Sequence, residues 1–236
     1  MRTVRAHDDR RGRPTQRFCC LTCGTTYSSR AFSTIYYLKR PELLLPVAAL
    51  LHAGAGHRQI ARSLGCAPST VTRLSARLGR QALLFHAHVM AELAEKLEEP
   101  VVFDHLEIFE FSQDLPFGVG TAVGKESWFV YALDPAPHRR ETIAFGRRLN
   151  AILERLYLAA VWRNFVKRVS ERRARSRTPA MKLGLTDEPW SFKRLLSRRL
   201  FPDREKLAGM ALAIYRRELI TPVLTSNTRH RLRFAY

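Results

Sequence analysis

Residues 57–76, HRQIARSLGCAPSTVTRLSA, limit what this chain can fold into more than any other stretch. Two short helical patterns meet at Gly65, and Pro68 can open the second at its first turn. A helix-turn-helix needs a small residue where its helices cross, a turn residue that accepts left-handed geometry, and inward apolar residues on both helices. Ala61 supplies the first, Gly65 the second, and Ile60, Leu64, Val71 and Leu74 the third. The outward positions Ser69, Thr70, Thr72, Arg73 and Arg77, with Arg58 on the first helix, carry short polar or basic side chains. Such a face suits a helix that enters a DNA groove. The plain alternative is a helical hairpin with a solvated face; the basic flanks favour DNA.

Those flanks reflect a strong charge bias. The chain has 236 residues and a formal charge of +19. Residues 1–80 hold 14 basic and three acidic side chains, and residues 138–177 hold 12 and three. Residues 81–124 reverse the sign, with Lys96 against eight acids. The basic parts suit a polyanion, most simply nucleic acid, because neutralised phosphates release counterions. The acidic island allows either a solvated helix face at Glu92, Glu95, Glu98 and Glu99 or a carboxylate centre around Asp104. With 46% hydrophobic residues there is enough apolar surface for a core. No apolar run reaches membrane-spanning length, and residues 1–17 lack the apolar segment of a secretory signal, so a cytoplasmic protein is expected.

Along the chain, residues 1–17 read as a basic arm and residues 18–32 as a knuckle followed by a short strand. Helical patterns cover 43–52, 57–64 and 68 to about 97. Val101-Val102-Phe103 has a buried-strand pattern, and 116–123 and 127–133 read as two more strands around a turn at Gly124-Lys125. A long Arg-rich helix is predicted over 142–169, a basic loop over 170–178, and shorter helices over 190–199 and 204–216.

Two sets of residues suggest metal. Cys20 and Cys23, in a CxxCG turn, are half of a zinc ribbon. A closed site takes four ligands, and His7, Cys19 and Cys66 lack a fitting spacing, so zinc is expected to be weak or absent. Asp104 follows the Val101–Phe103 strand, where a carboxylate is costly unless paired, hydrogen-bonded or metal-bound. Glu141, at the start of the long basic helix, is either a helix-borne metal partner or a favourable first-turn acid. Asp187 and Glu188 read as a turn before Trp190.

In this order the pieces resemble bacterial insertion-sequence transposases of the DDE, RNase H-like kind. The CxxCG knuckle, YYLKRPELL and RQIARSLGCAPSTVTRL resemble the DNA-binding half of such proteins. VVFDHLEIFEFSQDLPFGVGTAV resembles the first catalytic strand and its two successors, and ETIAFGRRLNAILERLYLAAVWRNFVK the helix with the final glutamate. RTPAMKLGLTDEPWSFKRLL resembles the segment that closes the catalytic domain. The resemblance implies Mg2+ held by Asp104 and Glu141, double-stranded DNA of the element's terminal repeats as partner, and room for a homo-oligomer. It also implies a second aspartate between the two, where only Asp114 and Asp134 stand. The 36 residues between Asp104 and Glu141 hold two strand patterns and no crossover, so the middle of the catalytic domain is expected to be missing.

The expected fold class is therefore α+β. An N-terminal zinc-knuckle remnant (1–40) and a helix-turn-helix domain (41–98) come first. An incomplete RNase H-like α/β domain (99–180) and a helical C-terminal tail (181–236) follow. Two functions compete: a transposase with a defective strand-transfer centre, and a non-enzymatic DNA-binding regulator made from transposase parts. No GxGxxG, P-loop or GxSxG supports a metabolic enzyme.

Overall fold

The computed structural model describes residues 2–8, 14–31, 33–94, 98–109, 116–136, 146–173, 175–202 and 204–219. Pro41 opens a 3-10 turn, Pro41–Leu43, which runs into α1, Leu44–His52. Helix α2 spans His57–Ser63 and α3 spans Pro68–Leu93, with Pro68 at its first position. Between α2 and α3, Gly65 takes φ +58°, a left-handed conformation that a side chain resists.

Helix α3 is the central element. Its first turns bury Val71, Leu74 and Leu78 against Ile60 and Ala61 of α2 and Leu44, Val47 and Ala48 of α1. From Gly79 onward the helix is enclosed: Gln81, Ala82, Leu83, Leu84, Phe85 and His86 are consecutive buried residues. The enclosing partner is α4, Gly146–Phe165. Where the two helices meet, a Cβ on Gly79 would lie 2.5 Å from the carbonyl oxygen of Glu154 and 2.6 Å from its Cα. Only glycine permits that approach. Glu154, 1% exposed, is held by Arg217, whose Nη2 donates to Oε2 at 3.1 Å and whose Nε lies 2.9 Å from Oε1. Arg217 follows α7, Gly209–Arg216.

The strands of the described residues form two separate antiparallel sheets. In the first, β1 (Arg2–Asp8) pairs with β2 (Pro14–Cys19), which pairs with β3 (Thr26–Ser28). Residues 1–17 are thus not a bare arm: two runs of them pair as a hairpin. In the second sheet, β4 (Val101–Phe109), β5 (Pro116–Gly124) and β6 (Val130–Ala136) form a meander in the order 4-5-6. Helix α4 joins this sheet through Asn164, which is fully buried. Its Oδ1 accepts from Val130 N at 2.8 Å and its Nδ2 donates to Val130 O at 3.0 Å, so it pairs with the first residue of β6 as a neighbouring strand would. His86 of α3 also reaches Val130 O, at 3.1 Å.

An aromatic cluster joins the layers. Phe165 lies 5.0 Å from Phe85, 4.9 Å from Trp190 and 6.2 Å from Phe129, centroid to centroid. Around it sit α5 (Pro179–Lys182), capped by the Thr178 hydroxyl, and α6 (Phe192–Ser197), capped by Ser191. One hydrophobic core runs through the helix-turn-helix, the second sheet and the C-terminal helices. No helix of the described residues is long and apolar enough to cross a membrane.

Several expected boundaries shift. α6 and α7 are shorter than the patterns over 190–199 and 204–216, and the described part of the long basic helix begins at Gly146. Val101-Val102-Phe103 is not buried: Val102 is 50% and Phe103 79% exposed. A run of three apolar residues fits a strand covered on both faces, but β4 lies at the sheet's edge, where cover is partial.

Gly79→Ala should destabilise the chain by about 1–3 kcal/mol, because a Cβ there forces α3 and α4 apart; thermal and denaturant melts measure it. Burial raises the Glu154 carboxyl above its ordinary value, Arg217 opposing. The native state therefore binds more protons than the unfolded chain, and this group's contribution is greatest at low pH and declines as pH rises above the usual carboxylate range. Glu154→Gln should flatten that part of the stability–pH curve.

Candidate nucleic-acid interface

The helix-turn-helix is held by short backbone bonds. Cys66 N donates to Ala61 O at 3.0 Å and Gly65 N to Arg62 O at 3.4 Å, so the turn folds back on α2. Arg40 braces it from outside, Nη1 donating to Gly65 O at 3.3 Å. Arg155 of α4 braces the loop before α2, Nη2 donating to Ala55 O at 3.2 Å. The sequence pattern suggested neither brace; each joins residues far apart in the chain.

The six residues expected to face DNA divide by what their side chains already do. Arg58, Ser69 and Arg73 are exposed, and their side chains make no hydrogen bond or ion pair with a described residue. Arg58 also borders a shallow groove with Arg62, Cys66 and Pro68. Thr70 is half-buried on the first turn of α3. Thr72 is engaged: its hydroxyl donates to Pro68 O at 3.1 Å and meets His57 Nδ1 at 3.1 Å.

Arg77 differs most from expectation. Its Nη1 donates to Thr34 O at 3.1 Å and Tyr36 O at 2.8 Å, and the side chain is half-buried. Burial, with Arg80 adding to it, lowers its pKa. Arg77 thus fastens the turn before α1 onto α3. Helical spacing puts it one turn beyond Arg73, but its long side chain bends back to carbonyls 41 and 43 positions earlier.

Among the described residues, the carboxylates expected to hold metal do not come together. Asp104 lies within β4, exposed, with Oδ1 accepting from His105 N at 2.7 Å. Registers set the faces of the sheet: Asp104 opposes Thr121, which opposes Leu133, whereas Asp134 opposes Gly120, which opposes His105. Directly paired residues share a face and neighbours in sequence alternate. Asp104 and Asp134 therefore project from opposite faces and cannot share an ion. Asp187 lies exposed in the segment before Trp190. Glu141 and Asp114 lie outside the described residues. Among those described, no three His, Cys, Asp or Glu side chains gather as a metal site.

Cys20 and Cys23 occupy the turn between β2 and β3. Cys20 N donates to Thr25 O at 3.0 Å and Gly24 N to Cys20 O at 3.0 Å. Backbone N–H groups of Cys23 and Thr22 point at the Cys20 sulfur and hold its pKa down to about 7. The Cys19 thiol donates to Gly24 O at 3.4 Å and that of Cys23 to Thr25 Oγ1 at 3.3 Å. His7 pairs with Thr15, four residues back along β2 from Cys19, or roughly 13 Å of strand. The turn thus carries two thiols, where a closed zinc site takes four ligands.

Arg77→Ala should lower stability by about 1–3 kcal/mol by leaving two carbonyls without a donor, while Arg73→Ala leaves the melting temperature unchanged. Paired thermal melts check this contrast. Compared with protein-family models, curated proteins and solved structures, the chain matches none.

Proposed function

We propose that this cytoplasmic, nucleoid-associated chain binds double-stranded DNA by placing the first turns of α3 in the major groove. Its target is the terminal repeats of an insertion sequence, as its resemblance to transposases suggests. The observation that carries the reading is the uncommitted polar and basic face of Ser69 and Arg73, beside Arg58, on a braced helix-turn-helix. The base-reading groups are Ser69, Thr70 and Arg73, with Arg58 on phosphate; Thr72 and Arg77 hold the motif in shape.

In a DDE strand-transfer centre, Mg2+ would activate a hydroxyl and stabilise the phosphodiester oxygens. Asp104 and Glu141 are the carboxylates that would hold it. The described residues do not fit such a centre: Asp104 sits on an edge strand, and Asp134 points from the other face. This favours DNA binding without strand transfer, which brings the chain close to the second reading, a regulator built from transposase parts. Zinc at Cys20 and Cys23 would be weakly held. The exposed β4 edge, with Val102 and Phe103, is where a second copy would pair in a homo-oligomer.

The test starts from duplexes selected by the chain from a random pool. Arg73→Ala should weaken binding to the selected site by about 1–3 kcal/mol and relax its specificity. Affinity should fall steeply with salt, as phosphate contacts require. Incubation with Mg2+ or Mn2+ should leave the DNA uncut. Full affinity after Arg73→Ala would contradict the docking, and nicking abolished by Asp104→Ala would contradict the absence of strand transfer.

A further inference from the structure

Beyond α4 the chain crowds basic side chains into a loop. Residues 167–173 and 175–177 carry Lys167, Arg168, Arg172, Arg173, Arg175 and Arg177 against a single acid, Glu171. The loop is closed by its own backbone and polar groups. Val169 N donates to Arg177 O at 3.0 Å, Ser170 N to Ser176 Oγ at 2.9 Å, Ser176 N to Arg173 O at 2.9 Å, and Arg168 Nη1 to Ser176 O at 2.9 Å. Both ends are anchored. Lys167 N donates to Trp162 O at 3.0 Å, and the fully buried Thr178 caps α5.

Arg172, Arg173, Arg175 and Arg177 are exposed, and their side chains make no hydrogen bond or ion pair with a described residue. Arg77, Arg155 and Arg217, by contrast, are each fastened to a carbonyl or carboxylate. Four like charges so close repel one another; among the described residues no acid pairs with them, and backbone geometry holds them together. Counter-charge from outside the chain would relieve that repulsion. Mobile ions supply it weakly; a polyanion that releases its own condensed ions supplies it with a gain in entropy.

We infer that this loop is a second DNA contact, a sequence-blind clamp on duplex phosphates, separate from the base-reading face of α3. It leaves the end of α4 where Phe165 packs on Phe85. Phe85 stands twelve positions along α3 from Arg73, about 18 Å of helix. That length is about half a turn of B-DNA, within the reach of one duplex bound at Arg73. The inference rests on the DNA-binding reading above.

The experiment compares the full chain with Arg172→Gln/Arg173→Gln/Arg175→Gln, with Glu171→Gln and with Arg73→Ala. Affinity is measured against salt on the selected duplex, on a random duplex and on an RNA duplex of equal length, and circular dichroism checks each fold. The triple variant should flatten the log–log salt dependence by up to about 2.7, at roughly 0.9 for each phosphate no longer neutralised, and weaken both duplexes equally. Glu171→Gln should tighten both. Arg73→Ala should instead lower the ratio of selected to random binding. An unchanged salt slope in the folded triple variant, with Arg73→Ala still impaired, overturns the clamp and leaves the α3 reading standing. Loss confined to an RNA probe overturns it in favour of RNA, and absence of DNA binding by the unaltered chain overturns both readings.

Discussion

The close approach of α3 and α4 at Gly79 and Glu154 is the constraint on which the rest of the molecule depends. With no side chain at Gly79, the two helices come close enough to bury residues on all sides of the middle of α3. The same helix carries the proposed recognition face at its N-terminal end and, through His86, reaches Val130 of the second sheet. Burying Glu154 at that crossing costs desolvation, which Arg217 offsets from beyond α7. The C-terminal helices are thereby tied to the core through a charge that cannot be left alone.

Arginine does two distinct jobs. Buried or half-buried arginines such as Arg77 and Arg155 donate to carbonyls and hold turns in place; Arg40, at the helix-turn-helix, does the same. Exposed arginines, Arg58 and Arg73 on the motif and Arg172, Arg173, Arg175 and Arg177 on the loop, make no side-chain hydrogen bond or ion pair with a described residue. A guanidinium suits both because it stays charged and offers a planar fork of donors. Net charge alone cannot separate the two groups.

Much of the local structure is legible in the sequence. The bounds of α1, α2 and the start of α3 follow from Pro41, Pro68, Gly54 and Gly65, and the 4-5-6 meander follows from apolar runs broken at Gly124. Pairings between distant residues are not legible. Nothing near Arg77 marks Thr34 and Tyr36 as its acceptors, and Glu154 reads as one charge on an amphipathic helix until Arg217 is placed beside it. The β1–β2 hairpin is hidden because its strands are Arg-rich and lack apolar alternation. The sequence places Asp104 at the end of a buried strand; it stands instead inside β4, which runs on to Phe109, and it is exposed, because edge and centre strands look alike in one sequence. Glu141, the other half of the expected carboxylate pair, lies outside the described residues.

The measurement that tests the central claim most directly is methylation interference on a duplex selected by this chain. Guanine N7 lies in the major groove and adenine N3 in the minor groove. If the first turns of α3 read bases in the major groove, methyl groups on guanine N7 within the site will exclude the DNA from the bound fraction, and those on adenine N3 at the same positions will not. Binding that tolerates N7 methylation throughout the site, or that is blocked only from the minor groove, would contradict the account.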